Sequence, residues 1–263
     1  MPKRFIDRAR PALRRYQKIL GSARKRDVNE SDTSVIVSDM LTDLLGWDKY
    51  EDVTTELSVR STFCDLAIKS RGRLLYLIEV KSIGTDLKDN HLRQAIEYGS
   101  REGIEWILLT NGVTWQAHRI RFEQPIHHDL VFEIDMLAGK PADTVEKLYL
   151  VSKEAENCSE IDLFWKHKEA TSRYVVAQLL LDDASVRTVR RQLRRLFPGL
   201  KVSEAELDEL IRTEVFKRDV LEGDKAAGAE KMIRKASRRR ERARAKIEEQ
   251  DASSTAAQPA ASA

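Results

Sequence analysis

A predicted β-hairpin carries two acidic residues and a lysine: Asp65 on its first strand, and Glu79 and Lys81 on its second. Residues 64–69 and 74–81 are apolar, partly β-branched runs, and the intervening Ser-Arg-Gly-Arg predicts a turn between two antiparallel strands. A turn centred on the glycine places Asp65 across from Glu79, and directly opposed side chains lie roughly 5 Å apart. Lys81 shares the face of Glu79, because side chains alternate along a strand. The other apolar side chains of the hairpin are expected to face the core: Leu66, Ile68, Tyr76, Ile78 and Val80.

This arrangement is suited to attack on a phosphate. Two carboxylates so close together repel unless a cation lies between them, and hard oxygen ligands suit Mg²⁺ or Mn²⁺. A metal held by Asp65 and Glu79, with the backbone carbonyl of Val80 as a further ligand, would polarise the phosphate and lower the pKa of a bound water. Lys81 would position that water or stabilise the charge that develops on the phosphate in the transition state.

A Glu-x-Lys pattern on a strand is common and usually marks a solvated sheet face. The context of Glu79 argues for a function. It follows the run Leu-Leu-Tyr-Leu-Ile, which is typical of a strand buried on both faces, where an unpaired charge is costly. A carboxylate and an ammonium at the end of such a strand therefore indicate a functional site and not a solvated sheet face.

Asp65 followed by the segment Ile78-Glu79-Val80-Lys81 resembles the signature of the PD-(D/E)xK nuclease superfamily. More narrowly, residues 29–119 resemble the N-terminal nuclease domain of the type I restriction enzyme R subunit. The narrower resemblance also rests on the Gln-x-x-x-Tyr motif of Gln94 and Tyr98, and on Leu-Leu-Thr-Asn-Gly followed by Trp115. The covered part is a little over a third of the chain.

The chain departs from this family in two places. Cys64 precedes Asp65 where the family name has proline, a change that removes no ligand. No phosphate-binding loop of the form G-x-x-x-x-G-K-[ST] occurs, so the family's ATP-driven translocation and ATP-dependent restriction cannot be carried over.

The resemblance implies an α/β fold, a restriction-endonuclease-like mixed central sheet flanked by helices, followed here by a small α-helical module. It implies a metal-dependent DNA nuclease with Asp65, Glu79 and Lys81 in the catalytic site, and defence against foreign DNA as its setting. Gln94 and Tyr98 share one face of a predicted helix. Gln94 would hydrogen-bond a DNA phosphate or orient Lys81, with Tyr98 bracing it; the alternative is a satisfied polar pair on a buried helix face.

Two more acidic residues are candidates for the site. Members of the superfamily often bring an acidic residue from the first helix to the metal, and Glu30 would do so here. Alternatively, Glu30 only stabilises the dipole of a helix capped by Ser31 or Asp32. Glu56, in a predicted strand over 53–59, is either a further carboxylate near the metal or an ordinary surface residue.

The length of 263 residues predicts one to two domains. The charged fraction of 34% predicts a heavily charged surface. A strand, a helix and a returning strand after Lys81 predict parallel pairing in a mixed sheet. The basic helix over 3–27 would contact nucleic acid, or its apolar stripe would pack on the domain. The basic run 231–246 would also contact nucleic acid, or would be a solvated or partly disordered helix. The expected division is a nuclease-like domain with N-terminal helices over 1–140, a helical module with basic segments over 141–249, and a disordered tail over 250–263.

Several classes of protein are disfavoured. The two cysteines, Cys64 and Cys158, form neither a metal-ligand spacing nor a disulfide framework, which favours a reducing cytoplasm. No apolar run reaches the roughly 18 residues that a membrane-spanning helix needs. His127 and His128 are adjacent on a predicted strand, so they face opposite ways and cannot easily chelate one ion together.

Three questions stay open at this level. A DNA-binding or assembly subunit could keep the fold without cleaving, although an intact Asp65, Glu79 and Lys81 set argues against it. RNA is an alternative substrate, because no base-reading motif is visible. The expected partners are DNA together with a second copy of the chain, or a separate motor or specificity subunit.

Overall fold

The computed structural model describes residues 1–59 and 62–256, apart from the side chains of 56–59, 62, 63, 240, 241, 243–246 and 248–256. The chain divides into two compact units, Met1–Trp165 and Lys166–Ala263. The first is an α/β unit built on a mixed sheet, and the elements described in the second are all helical. The predicted α/β class, with its helix-flanked mixed sheet, is confirmed.

Six strands of the described residues form one sheet in chain order: β1 Val53–Val59, β2 Thr62–Ser70, β3 Arg73–Val80, β4 Trp106–Thr110, β5 Thr114–Arg121 and β6 His127–Asp135. Neighbouring strands pair antiparallel except β3 and β4, which pair parallel as predicted. The connection between those two strands contains a 3₁₀ turn, Asp89–Leu92, and helix α3, Arg93–Glu102. Helix α3 packs on β2, β3, β4 and β5.

The strand β3 is buried on both faces, as its apolar run predicts. Tyr76, Ile78 and Val80 enter a large core cluster on one face of the sheet, whereas Leu77 enters a second cluster under α3. Leu66 lies opposite Ile78, which is the predicted register of the hairpin. An irregularity between Ile68 and Lys69 shifts the pairing by one residue only near the turn.

Two N-terminal helices cover the face of the large cluster. Helix α1, Lys3–Lys25, buries a stripe of side chains at helical spacing: Phe5, Ala9, Leu13, Tyr16 and Leu20. Helix α2, Glu30–Asp43, is capped by Asn29 and not by the predicted Ser31 or Asp32. The Asn29 side chain accepts a hydrogen bond from the backbone N–H of Asp32 at 2.8 Å, which satisfies one of the free donors at the helix start.

The first unit extends to Trp165, beyond the boundary predicted at residue 140. The helices α4 Pro141–Leu150, α5 Lys153–Glu156 and α6 Glu160–Ala170 follow the sheet. Val145, Leu148 and Tyr149 of α4 are buried in the large cluster, where the ring of Tyr149 lies 5.2 Å from that of Phe5. The helical pattern after residue 140 predicted a separate module, but its apolar stripe completes the core of the sheet.

The second unit contains α7 Arg173–Leu180, α8 Asp183–Leu196, α9 Glu204–Leu210, a π-helical turn Ile211–Val215, α10 Arg218–Leu221 and α11 Asp224–Ala256. Its small core joins Leu181, Val186, Leu207 and Ile211. A capping box of Ser203 and Glu206 lies at the start of α9. Helix α11 continues through 250–256, part of the predicted tail, and residues 257–263 lie outside the described part. No helix described here is long and apolar enough to span a membrane.

We expect a chain ending at Trp165 to keep the α/β unit and a chain ending at residue 140 to lose it. The shorter chain lacks Val145, Leu148 and Tyr149, and each buried side chain of this size contributes roughly 1.5–3 kcal/mol. Their sum is a large part of the roughly 5–15 kcal/mol by which a domain is stable. Thermal unfolding followed by circular dichroism measures the difference. Equal unfolding temperatures for the two truncated chains would contradict the extended boundary.

Candidate active site

Glu79 and Lys81 lie at the end of β3, with Glu79 only 6% exposed. The Nζ of Lys81 lies 2.7 Å from Oε1 of Glu79 and 3.5 Å from Oε1 of Glu30. The backbone N–H of Lys81 donates to the carbonyl of Thr110 at 2.8 Å, which extends the parallel ladder with β4 past the last residue of β3. The backbone of Lys81 is therefore fixed, and its side chain bridges two carboxylates.

Asp65 approaches the same place from β2. Its Oδ2 accepts a hydrogen bond from the backbone N–H of Val80 at 2.7 Å, so the carboxylate reaches across to β3 between Glu79 and Lys81. The side chain of Val80 is fully buried in the large core cluster, which leaves only its backbone on the side of the charged residues. The predicted convergence of Asp65, Glu79 and Lys81 is therefore present, and the Val80 carbonyl stays a predicted metal ligand.

Burial and mutual repulsion shape the charges of these groups. Burial is the main cause that raises the pKa of the Asp65 carboxyl, and the charge of Glu30 adds to it, against the Val80 N–H and Lys81. Burial also raises the pKa of Glu79, and Asp65 and Glu30 raise it further, while the Lys81 hydrogen bond opposes the change. For Lys81, burial disfavours the ammonium, but the hydrogen bond and charge of Glu79 outweigh it and raise the pKa.

Glu30 reaches the site because the turn between α1 and α2 packs on the loop after Lys81. The backbone N–H of Ile83 donates to the carbonyl of Val28 at 3.4 Å. A Cβ at Gly84 would lie 2.5 Å from Oδ1 of Asp27, so the Asp27 side chain lies against the loop after Lys81. The structure therefore places Glu30 next to Lys81, an arrangement that the sequence could only suggest by resemblance.

Gln94 and Tyr98 have different surroundings, although both lie on α3. Tyr98 is 3% exposed and packs in the cluster that contains Cys64, Ala67 and Leu77. Gln94 is exposed, and its side chain has no hydrogen bond to another residue in the described part of the chain. The alternative of a satisfied, buried polar pair is therefore wrong. The role of Gln94 toward a phosphate stays a prediction, and Tyr98 anchors the helix that carries it.

Glu56 cannot be placed in the same way. Its backbone belongs to β1, but its side chain lies outside the described part of the chain. Whether Glu56 adds a carboxylate to the site stays the open alternative that the sequence left.

Cys64 precedes Asp65, where the PD-(D/E)xK motif has proline, and its thiol is unreactive. Its side chain is 1% exposed, and its Sγ–H is within hydrogen-bonding distance of the carbonyls of Leu66 and Ile78, at 3.3 and 3.2 Å. Burial, with the charge of Glu79 added, raises the pKa of the thiol to about 12. A neutral thiol of this kind is a small apolar filler beside the site.

The donor set fits a hard divalent cation. Within the described residues, no three His, Cys, Asp or Glu side chains form a ready metal cage. Mg²⁺ is usually held by one or two carboxylates, with waters and substrate phosphates in the other positions. Asp65 and Glu79 supply two carboxylates whose raised pKa values have burial as their main cause, with mutual repulsion added for Glu79. A divalent cation between them would offset both costs, and Glu30 adds a further carboxylate beside Lys81.

A second polar cluster, centred on His118, lies under the 3₁₀ turn and was not predicted. The rings of His118 and His128 are 5.3 Å apart, and Nε2 of His128 lies 3.7 Å from Oδ1 of Asp89. His118 is 2% exposed, and its Nδ1 has no hydrogen-bond partner. The sequence analysis compared His128 with the adjacent His127, which is exposed, whereas the alternation of β5 and β6 points to His118 as its neighbour.

Comparison of the whole chain with protein-family models, curated proteins and solved structures found no match. The resemblance to PD-(D/E)xK nucleases consequently rests on the sequence motifs quoted above.

His118 predicts a pH dependence of stability. Burial, with His128 second, lowers its pKa from 6.5 to about 4. Neutral His118 therefore does not reduce the free energy of unfolding above about pH 6.5. As the pH falls toward about 4, protonation of the unfolded state lowers the free energy of unfolding by up to roughly 3 kcal/mol. We expect wild type to lose more unfolding free energy than His118→Gln over this range. Denaturant unfolding followed by tryptophan fluorescence measures it, because all four tryptophans belong to the first unit. Parallel pH profiles for the two proteins would contradict this assignment.

Proposed function

We propose that the chain is a metal-dependent nuclease that hydrolyses phosphodiester bonds of DNA. One observation carries the proposal: Glu79 and Lys81 end a strand that is buried on both faces, and Asp65 and Glu30 meet them there. A purely structural ion pair would need only one carboxylate for one lysine. Three carboxylates around one ammonium leave an excess of negative charge, which is the usual condition for binding a divalent cation.

The residues divide the chemistry among them. Asp65 and Glu79 would hold Mg²⁺ or Mn²⁺, with the Val80 carbonyl as a backbone ligand. The bound cation would supply Lewis acidity toward the phosphate and lower the pKa of a water. Lys81 stays protonated because its pKa is raised, so it can donate hydrogen bonds to a phosphate oxygen or orient the attacking water.

The ion pair of Lys81 and Glu79 has a further consequence for this mechanism. While Nζ of Lys81 lies 2.7 Å from Glu79, its ammonium neutralises that carboxylate. Charge compensation of Glu79 by a cation would weaken this ion pair, and Lys81 could then donate its hydrogen bonds to the phosphate. The backbone hydrogen bond of Lys81 to Thr110 keeps the lysine in place during such a change.

A polyanion as substrate is supported by the cations of the second unit. Helices α8 and α11 carry exposed basic side chains that would release counterions from DNA and supply affinity without sequence preference. They are Arg187, Arg191, Arg194 and Arg195 on α8, and Lys231, Arg234, Lys235, Arg238, Arg239 and Arg242 on α11. The preference for DNA over RNA, a role in defence against foreign DNA, and a second copy or a separate motor or specificity subunit as partner all rest on the resemblance.

We expect purified protein to cut plasmid and linear DNA with Mg²⁺ or Mn²⁺, and Asp65→Asn and Lys81→Met each to lower the rate at least about 100-fold. Asparagine keeps an oxygen that can accept the Val80 N–H, so the fold should survive. Lys69→Met and Asp143→Asn remove the same charges from exposed positions and should cut normally. Gel electrophoresis of the products measures the rates.

A folded wild type that binds DNA but cuts neither DNA nor RNA with either metal would contradict the nuclease. That outcome would favour a non-cleaving DNA-binding or assembly subunit. Faster cutting of RNA than of DNA of matched length would keep the chemistry and change the substrate.

Two variants test whether Glu30 and Glu56 contribute to the active site. We expect Glu30→Gln to lower metal-dependent cleavage about 10-fold or more, because its carboxylate lies beside Lys81 and raises the pKa of both other carboxyls. Cleavage as a function of Mg²⁺ concentration measures the effect, and a higher Mg²⁺ requirement should accompany it. An unchanged rate for Glu30→Gln would leave Glu30 a helix-dipole residue. The same assay on Glu56→Gln decides between its two alternatives.

A further inference from the structure

We propose that Arg24, Lys25 and Arg26, at the carboxyl end of α1, form a phosphate-binding surface that holds the backbone of duplex DNA beside the candidate active site. The inference rests on the proposed function and adds to it the place where the substrate enters. We refer to these three residues as the basic cluster.

The turn that follows the basic cluster connects it to the site. Arg26 is the last residue before the turn at Asp27, and Glu30 begins α2. The turn packs on the loop after Lys81 through the hydrogen bond from the Ile83 N–H to the Val28 carbonyl. The basic cluster is therefore four to six residues before a carboxylate that lies 3.5 Å from the Lys81 ammonium.

The side chains of the basic cluster are free to bind an anion. All three are exposed, and none forms an ion pair or side-chain hydrogen bond with another residue in the described part of the chain. By contrast, Arg8 and Arg15 of the same helix are paired with Glu154 and Asp43. Cations whose charge is already matched contribute less to phosphate binding than cations without a partner.

The acidic neighbour of the basic cluster is directed elsewhere. Oδ1 of Asp27 lies 2.5 Å from the position of a Cβ at Gly84, so this carboxylate contacts the loop backbone after Lys81. Asp27 also has a positive φ of 49°, which turns the chain sharply between Arg26 and Val28. This turn separates a basic surface from the acidic centre formed by Glu30, Asp65 and Glu79.

Charge complementarity indicates that the basic cluster binds a phosphate of the DNA backbone. An acidic centre that holds a cation needs the substrate phosphate to be placed there by groups other than the carboxylates themselves. Arginine is suited to this, because its planar guanidinium can bind a phosphate through two hydrogen bonds. Lys88 and Arg93, which follow the loop after Lys81, are also exposed. Exposed cations therefore occur in the sequence both before Glu30 and after Lys81.

Cations at a helix end also stabilise the helix dipole, which would explain Arg24 and Lys25 without a ligand. The two explanations differ in what they predict. A dipole role changes the stability of the first unit and leaves DNA affinity unchanged. A phosphate role changes affinity and its dependence on salt.

The test compares the full chain with the triple variant Arg24→Ala, Lys25→Ala, Arg26→Ala. Binding to a fluorescent DNA duplex of about 20 base pairs is followed by anisotropy in EDTA, from about 50 to 200 mM salt. We expect the variant to bind about 10- to 100-fold more weakly, and the slope of log affinity against log salt to fall by about 2 to 3, since each phosphate contact contributes about 0.9. Thermal unfolding of both proteins confirms that each is folded.

A matched control removes three exposed cations from the other part of the same helix, Lys3→Ala, Arg10→Ala and Arg14→Ala. These positions lie about 15–35 Å from the basic cluster, at 1.5 Å of rise per residue. We expect the control to retain affinity within about 3-fold and to change the slope by less than about 1.

Equal losses in the triple variant and the control would overturn the proposal, because net charge and not position would then decide binding. Unchanged affinity and slope in the triple variant, or no DNA binding by wild type, would overturn it as well. Cleavage assays separate this failure from failure of the proposed function. A wild type that cuts DNA although the triple variant binds normally keeps the nuclease and rejects the surface. Binding that depends on the basic cluster, without cleavage under Mg²⁺ or Mn²⁺, keeps the surface and rejects the nuclease.

Discussion

The structure of the first unit depends on the burial of β3 on both faces. Ile78 and Val80 face the helices α1 and α2, and Leu77 faces α3, so helices are needed on each side of the sheet. The strand also links the antiparallel hairpin with β2 to the parallel pairing with β4. Because both neighbours and both faces hold β3, the residues at its carboxyl end are placed more rigidly than residues on a surface loop.

The rigid strand end holds the carboxylates of Asp65 and Glu79 in a position where burial destabilises their charged forms. A carboxylate that loses water without a full set of partners is destabilised, and the raised pKa values of Asp65 and Glu79 report that cost. The Val80 N–H and the Lys81 ammonium offset part of it. What remains uncompensated is negative charge on one face of the sheet, and this remainder is the physical basis for proposing a divalent cation and a phosphate as partners.

The turn between α1 and α2 joins two charged features that are separate in the sequence. Its packing on the loop after Lys81 brings Glu30 to the acidic centre, and the same turn ends the helix that carries Arg24, Lys25 and Arg26. An acidic centre beside a basic surface is the charge pattern that a metal-assisted reaction on a polyanion requires. The Asp27 carboxylate lies beside Gly84 in that loop, so a larger residue at position 84 would require this carboxylate to move.

Local patterns in the sequence determined the hairpin, the register that brings Asp65 to Glu79, and the shared face of Glu79 and Lys81, because a strand has a fixed period of two. The same patterns predicted the parallel crossover after Lys81. The tertiary structure alone decided that Glu30 reaches Lys81, that His118 contacts His128, and that the first unit extends to Trp165. These features depend on packing between segments far apart in the chain, and the period of one element does not specify which other element will cover it.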